Sequence, residues 1–256
     1  MDLGLEGKVA IVTGASRGVG KAIARALGAE GCRLAIIARG RKALEETAEE
    51  LRGAGMEILT IAADLMIPQN IERSVQDVMD RYGRIDILVH NAGGARGQTI
   101  FDTSDEDWHD ALALNVLALS HFARLVAPIM SRQGGGRIIA ISSIFGRESG
   151  GRPAYNALKA ASISLTKSLA RQFAPNNILV NSVAPGSLLF PGSSWDRRRQ
   201  ADPESIEAFV KSELPLGRFG TPEEVAAVVV FLASSAASLV SGACIPVDGA
   251  QSRSNI

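Results

Sequence analysis

The chain has 256 residues, 46% of them hydrophobic and 21% charged, enough to bury one sizeable core in a single α/β domain. Lysine plus arginine and aspartate plus glutamate each total 27, so no net field gathers nucleic acid or an anionic membrane surface, and neither is expected as a partner. The two cysteines, Cys32 and Cys244, form neither a CxxC pair nor a metal-ligand spacing, so no metal site is expected and a reducing compartment is the default.

The opening "MDLGLEGKVAIVTG" lacks a basic region, and its apolar run is only strand length. No apolar stretch approaches the roughly 18 residues of a membrane span, so a soluble cytoplasmic protein is expected. The first predicted strand, "KVAIVT" (8–13), runs into "TGASRGVGKAIA", with glycines at 14, 18 and 20 opening a helix over 18–30. Glycines there let backbone N–H groups approach a pyrophosphate, and the helix N-terminus favours its charge. The spacing is GxxxGxG, and Ser16, Arg17 and Val19 complete the loop. A second strand, "RLAIIA" (33–38), ends at Arg39, where an acid would select the free ribose hydroxyl of NAD. An arginine instead offers a planar fork to a 2′-phosphate, with Arg17 as a second clamp, so the pair leans toward NADP, with NAD as the alternative.

A helix over 41–53 and a strand "EILTIAA" (57–63) follow, then a helix over 69–82 and a strand "IDILVH" (85–90). One long helix is expected over 105–131, with Asp105 and Glu106 in its first turn, where negative charge is favoured. After the strand "GRIIAIS" (136–142) comes "SSIFGRESGGRPAYNALKAA", which sets Tyr155 and Lys159 one turn apart at the start of a helix over 153–174. A phenol has a reference pKa of about 10 and donates poorly at neutral pH; a cation one turn away is expected to lower it. The strand "ILVNSVA" (178–184) leads into 185–221, which fits no strand–helix unit and reads as a lid or binding loop, placed at about 186–221. "TPEE" (221–224) caps a helix over 222–235, and "CIPVD" (244–248) is the seventh strand. Short Val/Ile/Leu-rich strands alternating with amphipathic helices predict one doubly wound Rossmann domain over 1–256, with a mostly parallel seven-stranded sheet flanked by helices.

With the glycine loop and "YNALK" on one chain, the sequence resembles the short-chain dehydrogenase/reductase family from about residue 6 to 250. The ordered motifs are "TGASRGVG", "DL" (64–65), "NAGG" (91–94), "ALNV" (113–116), "ISS" (141–143), "YNALK" (155–159) and "VNSVAPG" (180–186). "PLGRFGTPEEVA" and "SGACIPVDGA" are most similar to its 3-oxoacyl-acyl-carrier-protein reductase branch. The resemblance implies that Tyr155 is the proton donor and that Lys159 binds the nicotinamide ribose and acidifies the tyrosine. It implies further that Ser143 polarises the carbonyl and Asn115 holds a water in a proton relay. Asp64 and Leu65 would contact adenine, Asn91, Ala92 and Gly93 the adenosine side, and Pro185 and Gly186 the nicotinamide. A homotetramer is implied too, and the few charges on 153–174 agree with a face buried between subunits.

Two departures from the family stand out. Ser143 and Tyr155 are twelve residues apart, one fewer than in many relatives, and Phe190 stands where many carry a threonine that donates to the nicotinamide. His90, where relatives often have asparagine, reads as a packed strand-end residue. "DRRR" (196–199) is a candidate contact for an anionic substrate tail, against the commoner reading of a solvated charge run. The expected function is hydride transfer between NADP(H) and a small-molecule carbonyl or secondary alcohol, with a 3-oxoacyl thioester set against a sugar, polyol, steroid or small ketone. A nucleotide-binding protein without turnover is disfavoured, because Asn115, Ser143, Tyr155 and Lys159 are all present.

Overall fold

The computed structural model describes residues 2–255. Seven strands, β1 (Val9–Thr13), β2 (Arg33–Ala38), β3 (Ile58–Ala62), β4 (Ile87–His90), β5 (Gly136–Ile141), β6 (Ile178–Pro185) and β7 (Cys244–Val247), form one sheet in the order β3-β2-β1-β4-β5-β6-β7. All six pairings are parallel, where the sequence led us to expect a mostly parallel sheet. Parallel strands need crossovers, and the helices that supply them cover both faces. Neighbouring residues of β1 point to opposite sides, so Ala10 and Val12 join one buried cluster while Val9 and Ile11 join the other. On the first face pack α1 (Gly18–Ala29), α2 (Arg41–Gly53) and α9 (Pro222–Ala233). On the second pack α3 (Pro68–Tyr82), α5 (Ala118–Arg132) and α6 (Pro153–Phe173).

The strand order reverses between β1 and β4, so the chains leaving their carboxyl ends diverge and open a crevice. The glycine loop leaves β1 there, and the "NAGG" segment leaves β4.

The long helix expected over 105–131 is interrupted. It comprises α4 (Asp105–Leu112), a π-helical stretch Ala113–Leu117, and α5. By length and composition the whole of 105–132, with an 18-residue window of mean hydropathy 1.6, could cross a membrane, which corrects the expectation that no stretch qualifies. It packs Phe122, Ala123, Val126 and Met130 into the core instead.

The stretch after β6 has more structure than its sequence suggested, with α7 (Ser194–Ala201) and α8 (Pro203–Glu213) capped by Ser193 and Asp202. Its own small core stacks Trp195 on Phe209 at 4.3 Å between ring centroids, with Phe219 at 5.2 Å from Trp195. Each arginine of "DRRR" is engaged locally. Arg197 donates to the Gly192 carbonyl at 2.6 Å, Arg198 lies 5.0 Å over the Trp195 ring, and Arg199 pairs with Asp196 at 3.3 Å.

Candidate active site

The glycine loop is shaped so that no side chain fits in it. Gly14 and Gly18 have φ of +65° and +55°, and a Cβ on Gly20 would lie 2.3 Å from the Gly14 carbonyl oxygen. Helix α1 starts immediately after, with Arg17 in the N-cap position making no side-chain cap and no acid in the first turn. Its first N–H groups therefore face the crevice without a side-chain partner, an arrangement that suits an anion. Asn91 fixes the loop from β4, its Nδ2 donating to the carbonyls of Thr13 (3.0 Å) and Gly14 (3.1 Å).

Ser16 and Val19 are half-buried in this loop, and Arg17 is exposed. Arg39 is exposed at the end of β2. Among the described residues neither Arg17 nor Arg39 has a salt bridge or a side-chain hydrogen bond. Asp64 follows β3, its Oδ1 accepting from the Met66 N–H at 3.0 Å. Leu65 is 3% exposed within the second core cluster, so its side chain is part of the core and only its backbone is available to a ligand.

Thr13 ties the β1 and β4 ends together. Its Oγ1 accepts from the N–H groups of Asn91 and Ala92, both at 3.0 Å, which leaves its proton to point at Nδ1 of His90, 3.4 Å away. His90 Nε2 lies 3.1 Å from the Leu114 carbonyl, which can only accept, so the ring carries its proton on Nε2. That carbonyl needs a donor because of the π-helical stretch, where the Ala118 N–H bonds to Ala113, five residues back, instead of Leu114. Burial pushes the His90 pKa down to about 4, with the Lys159 charge acting in the same direction, so the ring stays neutral. His90 is packed against Phe122, as expected of a strand-end residue, and it is also a hydrogen-bonding link that its sequence position did not reveal.

The π-helical stretch presents Asn115, which is 2% exposed. Its amide clasps the "NAGG" backbone, donating to the Gly94 carbonyl (2.6 Å) and accepting from the Gly94 N–H (3.2 Å), while Nδ2 also donates to Ala111 (2.8 Å). A Cβ on Gly93 would meet Asn115 Oδ1 at 2.6 Å and Lys159 Nζ at 2.9 Å, so both groups close on one glycine.

Ser143 ends the extension of β5, and its Oγ accepts from the Phe145 N–H at 3.2 Å. Gly150 and Gly151 then turn the chain back against the Phe145 ring, which a Cβ at either position would strike. The twelve-residue connection to Tyr155 is compacted in this way. Burial pushes the Tyr155 phenol above its ordinary 10, and a hydrogen bond with Ser143 opposes this. Lys159 Nζ donates to the Ile141 carbonyl at 2.8 Å and lies 5.5 Å from the Tyr155 ring centroid. Burial is the larger influence on the phenol and Ser143 the opposing one, with the Lys159 ammonium placed over the ring. The lysine's own pKa is pushed down to about 8 by burial.

Pro185 closes β6, and Gly186 is packed so tightly that a Cβ would lie 2.7 Å from Asp248 and Gln251 atoms. Phe190, three residues past Ser187, lays its ring against Gly18 of the glycine loop, 2.6 Å from where a Cβ would be. Among the described residues no group of three or more His, Cys, Asp or Glu side chains could hold a metal ion. Sequence reasoning missed Thr13, Arg152, whose guanidinium donates to the Ala95 carbonyl at 2.9 Å, and Gln251. Thr13 opens the "TGASRGVG" motif, and Arg152 and Gln251 lie outside every motif; what marks all three is a partner distant in sequence.

The family described as Enoyl-(Acyl carrier protein) reductase matches residues 14–250. The 3-oxoacyl-[acyl-carrier-protein] reductase FabG of Thermotoga maritima is 36% identical over 246 residues, which is 96% of this chain and 98% of that protein. FabG of Aquifex aeolicus is 37% identical over 97% of this chain and 99% of its own. The crystal structure of L-sorbose reductase from Gluconobacter frateurii, complexed with NADPH and L-sorbose, has a TM-score of 0.94 and 34% identity, covering 99% of this chain and 100% of that one. With similarity along nearly its whole length, and Ser143, Tyr155 and Lys159 drawn together beside the glycine loop, the chain is an oxidoreductase of the short-chain dehydrogenase/reductase family.

Proposed function

We propose that this enzyme reduces a small-molecule carbonyl, or oxidises the matching secondary alcohol, with NADP(H), and that residues 1–256 form one domain in which 186–221 is a substrate lid. The observation that carries the reading is the convergence of Ser143, Tyr155, Lys159 and Asn115 at the β1/β4 crevice. The glycine loop fits the pyrophosphate of a dinucleotide, because α1 starts there with no side-chain cap and no acid in its first turn. The unpartnered Arg39 and Arg17 fit a 2′-phosphate, with NAD as the alternative cofactor. Asp64, the Leu65 backbone and the Asn91–Gly93 segment line the adenosine side, and Pro185 and Gly186 the nicotinamide side.

When bound, the dinucleotide supplies or accepts the hydride. The Tyr155 phenol, protonated at neutral pH, gives its proton to the carbonyl oxygen during reduction. The Ser143 hydroxyl donates to the same oxygen as negative charge builds. The Lys159 ammonium holds positive charge beside the phenol, and Asn115 keeps the "NAGG" backbone in place.

Among substrates, a 3-oxoacyl thioester is supported by the FabG relatives and a keto sugar by the structural neighbour. The internal engagement of Arg197, Arg198 and Arg199 weakens the case for these residues as readers of an anionic tail. Exposed apolar side chains such as Leu117, Phe231 and Leu239 support a homotetramer, and a cytoplasmic location is proposed from the relatives' kind of activity.

Oxidation of the reduced cofactor, followed at 340 nm over a panel of ketones, keto sugars and acyl thioesters, tests the reading. An arginine–phosphate contact is charge-assisted, so a preference for NADPH over NADH of about tenfold or more is expected. Arg39→Asp should reverse that order. A parent protein that prefers NADH would refute the cofactor assignment, and one that turns over no carbonyl would refute the function.

A further inference from the structure

The segment after β7 makes several contacts with the rim of the crevice that the proposed chemistry leaves unused. Gln251 clasps Ser187 at two points: the Ser187 N–H donates to Gln251 Oε1 at 2.7 Å, and Gln251 Nε2 donates to Ser187 Oγ at 2.9 Å. Next to it, Glu148 Oε2 accepts from the Ser252 hydroxyl at 2.9 Å and the Arg253 N–H at 2.7 Å. Glu148 lies in the connection between Ser143 and Tyr155. Ser187 begins the run that ends with Phe190 against the glycine loop. Two consecutive residues of one segment therefore hold both the connection that carries Ser143 to Tyr155 and the run from Ser187 that reaches the glycine loop.

A second observation marks the same place. Ala250 has φ +66°, in the left-handed region where a side chain is strained, directly after Gly249 at +61°. Asp248 pins this turn, its carboxylate accepting from the N–H groups of Ala250 (3.1 Å) and Ser252 (2.9 Å). Strain of this kind persists only where the surroundings over-determine it, and here it aims Gln251 at Ser187. A third tie, Arg147 to the Cys244 carbonyl at 2.8 Å, joins the Ser143–Tyr155 connection to β7 itself.

We propose that residues 248–253 brace the crevice, and that Gln251 is a positioning residue for the half of the dinucleotide that reaches Ser143 and Tyr155. It acts through Ser187 and touches no reacting atom. The inference rests on the proposed NADP(H) function and deepens it.

The test uses two probes, NADPH and adenosine 2′,5′-bisphosphate, the second carrying only the adenosine half. Gln251→Met keeps the length of the side chain and loses both hydrogen bonds. Titration of intact protein should show NADPH affinity falling about tenfold, the worth of two neutral hydrogen bonds, with the bisphosphate affinity unchanged. Ser187→Ala, which removes one of the two bonds from the other side, should lower NADPH affinity about threefold and carries the test if Gln251→Met does not fold. Unchanged NADPH affinity in these variants, or an equal loss for both probes, would overturn the proposal, because a merely structural role weakens both. A parent protein without affinity for NADPH would overturn the proposed function, and this inference with it.

Discussion

Tyr155 and Lys159 are one turn apart in sequence, yet burial treats them in opposite ways. The phenol is pushed up and stays protonated, while the ammonium is pushed down to about 8. Removing the hydroxyl alone isolates the proton-transfer role: Tyr155→Phe should lower turnover by ~10²–10⁴ while leaving the NADPH dissociation constant nearly unchanged. Wild-type turnover in that variant would rule out the phenol as donor. Lys159 carries a cost as well as a function. Between pH 8 and its ordinary 10.5 the unfolded chain holds the lysine's proton more firmly than the folded one, so this group makes stability rise with pH across that window. Below pH 8 the folded state bears the full burden of a charge buried at 5% exposure. Lys159→Met should therefore abolish turnover and yet raise the melting temperature at pH 7 by roughly 3 °C. Thermal melts of both proteins from pH 7 to 10 should show that gain shrinking as pH rises, and a constant gain would exclude the buried charge as its source.

Within the long helix over 105–132, five residues in π geometry do what a regular helix could not. They release the Leu114 carbonyl and turn Asn115 inward, and His90 at the end of β4 supplies the missing donor. His90→Phe keeps ring volume against Phe122 but strands that carbonyl and leaves the Thr13 hydroxyl without its acceptor. A buried acceptor without a partner costs about 1–3 kcal/mol, which urea unfolding should register, and turnover should fall as Asn115 loosens. His90→Asn, with an amide able to donate and accept, should recover most of both. If His90→Phe matched the parent in stability and turnover, the link from β4 to the π stretch would be dispensable. Nothing in "DWHDALALNVLALSHF" announces the change of pitch, since its apolar pattern suits an unbroken helix. The insertion after β6 was illegible for a related reason: α7 and α8 are short and polar, and are stabilised by their caps and by the stacked Trp195, Phe209 and Phe219.

At the scale of the whole molecule, large apolar side chains are exposed on several elements, among them Ile67, Phe101, Leu117, Leu216, Phe231 and Leu239. Leu117 is 52% exposed in the π stretch, and Ala157, Ala160 and Ser164 of α6 are exposed small residues. Phe231 on α9 and Leu239 before β7 are 40% and 97% exposed. A closed tetramer built from isologous contacts needs two apolar patches per subunit, whereas a dimer needs one. Light scattering at micromolar concentration should give four times the subunit mass, with Leu239→Glu reducing it to a smaller species; a monomeric parent would refute the assembly.

The seven strands, the five helices α1, α2, α3, α6 and α9, and the spacing of Tyr155 and Lys159 on one helix were legible in the sequence, because each is a local pattern. Apolar runs of strand length, helical periodicity with caps, glycines after a strand and a tyrosine–lysine pair one turn apart all lie within about twenty neighbouring residues. The tertiary structure decided what depends on partners far apart in the chain. The surroundings of Tyr155 are of this kind: burial raises the phenol, Ser143 opposes it, and Lys159 turns to the Ile141 carbonyl. Leu65, which the family resemblance sets against adenine, has its side chain in the core, and the clasp of Gln251 on Ser187 spans 64 residues. A short-range pattern records what a segment tends to do alone, whereas hydrogen-bond partners and desolvation are set only once the sheet has brought distant segments together.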